Sequence, residues 1–141
     1  MRISVIGLLL VLAAVQAAAE VHLENGWVRA VPPVSDTTAA YGQIVNDGST
    51  AVTIKAAPVD WAGSAMLHVS TEAEDGTRSM RPLEAVTVAA GANLTLQSGD
   101  KHLMFTGVEQ MPGAGETVPV CIRVDDERQC SNLPVKRSAP E

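Results

Sequence analysis

Aromatic side chains are nearly missing from this sequence: its 141 residues include only Trp27, Tyr41, Trp61 and Phe105. Val, Ala, Leu and Ile must therefore fill most of any interior, and Trp27 and Trp61 read as core anchors. Cations are also scarce, with 10 Lys and Arg against 16 Asp and Glu and a formal charge of −6. No basic stripe is present, which argues against nucleic acid and for a cationic small species or a positive protein patch as partner. Catalytic signatures are missing too. There is no Gly-x-Ser-x-Gly elbow, and a three-ligand zinc site would have only His68 and His102, with Asp100 as a forced third. The expectation is a protein that is not an enzyme.

Long apolar runs are confined to the start. MR is followed by ISVIGLLLVLAAV and by small residues at 17–19, the pattern of a secretory signal peptide over 1–19, cut after Ala19. The run is short for a spanning helix, and no cysteine stands near the cut to carry a lipid. The chain is thus expected in the periplasm with no membrane anchor after cleavage. The mature part, from Glu20, loses Arg2 and carries a formal charge of −7. It is long enough for one core. A β domain is expected over 20–135, followed by a polar, frayed tail over 136–141.

The chain has only two cysteines, Cys121 and Cys130 in CIRVDDERQC. In an exported chain they suggest a disulfide, although two reduced thiols could instead serve a metal. A two-residue hairpin loop at Asp125-Asp126 sets 124 against 127 and 121 against 130. Alternation along the ladder makes 121/130 a non-hydrogen-bonded pair, whose close Cα atoms suit a cross-strand bridge.

No helical period persists after the leader. Short β-rich runs are expected as strands at 22–31, 40–46, 51–56, 65–71, 79–83, 85–89, 93–97, 102–108, 117–124 and 127–133. Turn sequences such as Asn46-Asp47-Gly48, Asp75-Gly76, Ser98-Gly99-Asp100 and Pro112-Gly113 separate them. The pattern is that of an all-β sandwich or barrel.

The three histidines and five methionines are not scattered evenly. In KHLMFTG, His102 and Met104 are two apart and share a strand face, while Leu103 and Phe105 point to the core. In AMLHVS, Met66 and His68 share a face in the same way. Met80 stands between Ser79 and Arg81, a poor place for a core residue. His68, Met80, His102 and Met104 offer two imidazoles and two thioethers, all uncharged and borderline to soft. Such a set favours Cu(I) over Zn(II), Mg(II) or Ca(II), and thioethers do not oxidise to disulfides in an oxidising compartment. Taken singly, each is an ordinary packing or surface residue; the joint pattern carries the reading.

With these residues in view, the sequence resembles the periplasmic copper(I) chaperones of the PCuAC family, whose signature is H-(M)-x10-M-x21-H-x-M. His68 and Val69 are followed by ten residues, Met80, twenty-one residues, His102, Leu103 and Met104. The segments GWVRAVPP, AYGQIVNDGS, MRPLEAVTVAAG, HLMFTG and ETVPV carry the resemblance across most of 20–124. Two features depart from the pattern: Val69 replaces the optional methionine, and the cysteine pair lies outside the signature. The resemblance implies a cupredoxin-like Greek-key β-sandwich or barrel and the four ligands His68, Met80, His102 and Met104. It also implies a carrier of one Cu(I), handed to an acceptor such as the CuA site of cytochrome c oxidase or a Sco-like thiol protein. Storage or resistance, a blue-copper site and a metal-free interaction module are the alternatives.

A second copper feature depends on the cut. A mature start at Glu20-Val21-His22 would place an amine, two amides and an imidazole in a square-planar N4 set, which favours Cu(II) or Ni(II). The plainer reading is that His22 opens the first strand.

Overall fold

The computed structural model describes residues 21–140. The leader over 1–19, Glu20 and Glu141 lie outside the described residues. All ten expected strands are present: β1 (Val21–Arg29), β2 (Thr38–Asn46), β3 (Val52–Ala56), β4 (Ser64–Glu72), β5 (Arg78–Leu83), β6 (Val86–Val88), β7 (Asn93–Leu96), β8 (Lys101–Thr106), β9 (Thr117–Val124) and β10 (Glu127–Lys136). Among the described residues no helix occurs. The expected all-β class is the observed one.

The strands run in the order β5-β4-β8-β2-β1-β10-β9-β3-β6, with β7 paired to β2. One half contains β1, β2, β4, β5, β7 and β8, and the other β3, β6, β9 and β10. A parallel pairing of Val28 with Val135 joins them. Their inward faces meet in one core, where Val28, Ile44, Leu67, Leu103 and Phe105 pack with Ile54, Val120, Ile122 and Val135. Trp61 closes it, stacking 4.6 Å from Phe105 and donating Nε1–H to the Pro119 carbonyl at 2.7 Å. Burial of these aliphatic side chains is the main favourable term, each contributing roughly 1.5–3 kcal/mol.

One local departure from the sequence reading has a physical cause. β10 continues to Lys136, past the expected end at Leu133, because parallel pairing to β1 carries it through Pro134. Arg137, Ser138, Ala139 and Pro140 are exposed and border a groove with Trp27, Arg29 and Tyr41. Trp27 is buried but lies outside the main core, in a separate small cluster with Ala39 and Tyr41. A bulge between Glu24 and Trp27 in β1 brings it there. Gly42 sits opposite at φ +143°, and a Cβ on it would meet the Gly26 Cα at 2.8 Å.

The β9–β10 hairpin follows the expected register. Asp125 and Asp126 both take positive φ, the signature of a two-residue turn matched to strand twist. Cys121 faces Cys130 with a Cα separation of 4.1 Å, and the two form a disulfide. Two predictions follow from this frame. Changing both cysteines to serine should lower unfolding free energy by about 2–3 kcal/mol, read by urea denaturation. Gly42→Ala should lower the melting temperature more than Gly91→Ala, whose Cβ meets nothing within 4 Å.

Candidate metal centre

The centre is built by strand register. β4 and β8 are antiparallel, with His68 directly opposite His102 and Met66 directly opposite Met104. Residues so paired have Cβ atoms about 4.5–5.5 Å apart and project from the same face. The alternate residues Leu67 and Leu103 face each other inside the core, both 1% exposed. The period of two therefore puts leucines inward and donors outward. β5 pairs on the other side of β4, and there Met80 faces Ser70, one pair diagonal from His68. Ser70, Met80 and His102 border the same groove.

The imidazoles lie with ring centroids 5.9 Å apart and an interplanar angle of 66°. His102 is only 5% exposed, more enclosed than a turn-proximal site would suggest, because Tyr41 flanks it with centroids 6.4 Å apart. Tyr41 is in turn held between Trp27 and the Arg29 guanidinium, at 4.9 Å and 5.3 Å. His102 Nδ1 contacts the Asp100 carbonyl at 3.0 Å, which also accepts the Ser70 N–H. A carbonyl only accepts, so Nδ1 carries the proton and Nε2 keeps its lone pair. This is the usual way a protein fixes the tautomer of a metal-binding histidine.

His68 supplies the test of fit. Both ring nitrogens are shut off from water and lack a hydrogen-bond partner among the described residues, although the residue as a whole is half-buried. A buried imidazole without a partner loses free energy. A soft cation between the two rings would restore that loss, and the donor set suits such an ion. Burial lowers the His68 pKa below its ordinary 6.5, and the neighbouring His102 lowers it further. A neutral His68 is the ligand-competent form.

Of the four expected ligands, Met80, His102 and Met104 line one groove, which Arg29, Tyr41 and Ser70 help to form. His68 adjoins it through His102. Met80 is 57% exposed, in keeping with its polar neighbours. Among the described residues no three of His, Cys, Asp or Glu converge as a metal-binding group. The groups that border the groove are instead an imidazole and two thioethers, with the His68 ring 5.9 Å from that of His102. The sequence reading placed Met66 on the His68 face but did not include it in the set; its partner in the register is Met104. The N-terminal feature stands apart. Glu20 is outside the described residues, Val21 and His22 open β1, and His22 Nε2 lies 3.0 Å from Glu24 Oε1.

Comparison with known proteins agrees with this geometry. The LpqE-like family model ("Putative lipoprotein LpqE-like") matches residues 21–135, and the chain belongs to that family, which is related to the PCuAC copper chaperones. A curated relative, "Putative lipoprotein Lxx21020" of Leifsonia xyli subsp. xyli, is 31% identical over 107 residues, covering 75% of this chain. The chain spans 63% of that relative's length. Among solved structures, Cu(I)-bound DR1885 from Deinococcus radiodurans is 30% identical, with a TM-score of 0.65 over 89% of this chain and 86% of that one. The apo PCuAC domain of PmoF1 has a TM-score of 0.68 at 20% identity, over 87% of this chain and 98% of that one, a likeness of fold. The expected PCuAC resemblance and cupredoxin-like fold therefore hold. In this chain both cysteines are joined to each other.

The lowered His68 pKa generates a pH prediction. Unfolded His68 takes up a proton near pH 6.5, which the folded ring accepts only at lower pH. Stability from this group is therefore fully present above 6.5 and is lost as pH falls through the folded value. NMR titration of the metal-free protein should give His68 a midpoint below 6.5, and His68→Gln should flatten the acid limb of stability.

Proposed function

We propose that this chain is an exported Cu(I) metallochaperone. It binds one Cu(I) through His68, Met80, His102 and Met104 and delivers it in the periplasm to an acceptor copper protein. The observation that carries the reading is the opposed imidazole pair, with a fixed Nε2 lone pair on His102 and two unpartnered nitrogens on His68. The Cu(I) form of DR1885 supports it. Cu(I) is the transported cargo and undergoes no net chemistry here. Uncharged donors hold it less firmly than thiolates, so an acceptor offering Cys, His or Met can take it by stepwise ligand exchange.

The acceptor we favour is the CuA site of cytochrome c oxidase, with a Sco-like thiol protein as the other candidate. Anaerobic titration should show one Cu(I) per chain, with affinity reduced at least about tenfold in His68→Ala and His102→Ala. Mixing the loaded protein with an isolated CuA domain should produce the CuA optical bands. Unchanged binding in both histidine variants would overturn the reading; tight binding without transfer would favour storage or resistance.

If export leaves Glu20 as the first residue, Glu20, Val21 and His22 form a second site, for Cu(II). Binding there must compete with the pairing of Val21 and His22 to β2 and with the His22–Glu24 contact. The mass of the mature N-terminus and a Cu(II) d–d absorption band test it together.

A further inference from the structure

The pattern of donors is richer than four. On one face of β4 and β8, Met66 and Met104 form a direct cross-strand pair immediately beside the direct pair His68/His102. These four groups occupy a compact rectangle on two neighbouring strands. Its sides are about 5 Å across the ladder and about 7 Å along it, within reach of flexible thioethers. Met80 is differently placed. It stands on β5, the edge strand of the sheet, opposite Ser70 and on the far side of the His68/His102 pair from Met66. Met66 is an apolar side chain left 41% exposed, while the next residue, Leu67, is buried. It is not needed by the core cluster, and its sulfur lies on the donor face rather than the packing face.

Cu(I) accepts at most four donors readily, so five soft groups on one face leave one in excess. We propose that Met66 is a fifth donor to the same ion, sharing with Met80 the fourth position beside His68, His102 and Met104. Met80, exposed on the edge strand, is the exchanging thioether through which copper enters and leaves. The inference rests on the copper-carrier reading and adds Met66 to the four donors named there. In transfer, a Cu–S bond to Met80 forms as a bond to Met66 or Met104 breaks, and the incoming donor then displaces Met80. The copper stays Cu(I), and both sulfurs remain neutral throughout.

The test uses the full mature chain with 13C-methyl methionine, loaded anaerobically with Cu(I). Met111, packed against the core, is the internal reference. The Met66 and Met104 methyl signals should shift on loading. In competition with bicinchoninate, Met66→Leu should bind Cu(I) at least about tenfold more weakly. Met80→Leu should change affinity less but slow copper release to the chelator. An unmoved Met66 signal, with Met66→Leu binding as tightly as wild type, overturns the inference. If His102→Ala still loses copper in that case, the carrier reading survives and only the role of Met66 falls. If His68→Ala and His102→Ala also bind normally, both fall together. The methyl signals are read in the unaltered protein, so the test does not depend on the variants folding well.

Discussion

The antiparallel register between β4 and β8 is the constraint on which the rest depends. It sets Leu67 against Leu103 inside the core and, by the same alternation, His68 against His102 outside it. A slip by one residue would bury the donors and expose the leucines. The hydrophobic core therefore fixes the metal centre: the burial free energy of the leucines holds the imidazoles in opposition. No separate device is required to bring them together, although several refine their poise. The Asp100 carbonyl sets the His102 tautomer, and Tyr41, braced by Trp27 and Arg29, limits the ring's freedom.

Much of this was legible in the sequence because β-structure has a period of two. Leu103 and Phe105 against His102 and Met104 could be assigned to faces without knowing the neighbours. The Asp125-Asp126 turn likewise fixed the pairing of Cys121 with Cys130. The long spacers between His68, Met80 and His102 became intelligible as the β4–β5 hairpin and the passage through β6 and β7 to β8. Strand pairing across the sheet was not legible, since which strands lie side by side depends on the whole topology. Met66 was read onto the His68 face but left out of the ligand set. Only the β4–β8 register reveals that it faces Met104, and nothing in AMLHVS distinguishes it from a surface methionine. Trp27 is a core anchor as expected, but which cluster it anchors depends on the bulge around Asn25 and Gly26 and could not be read from the sequence. The extension of β10 was hidden by Pro134, a residue that usually ends a strand but here follows a parallel partner.

The separation of tasks within one small β domain is the broader lesson. One face of the β4–β8 ladder supplies cohesion, and the other presents paired imidazoles and paired thioethers. Such a division explains how an aromatic-poor chain can host a polar, partly buried constellation. The neutral state of His68 and the unpartnered state of its nitrogens are two aspects of one condition. Each leaves lone pairs ready for a cation, and neither is comfortable without one.

The Cys121–Cys130 bond lies in the half of the sheet away from the donor face. Beyond fastening a hairpin, it removes from circulation the strongest copper-binding atoms that the chain possesses. Free thiolates would compete with the thioethers for a soft ion and hold it more firmly. Locked together, the sulfurs of β9 and β10 leave the cargo only with donors weak enough to let it go.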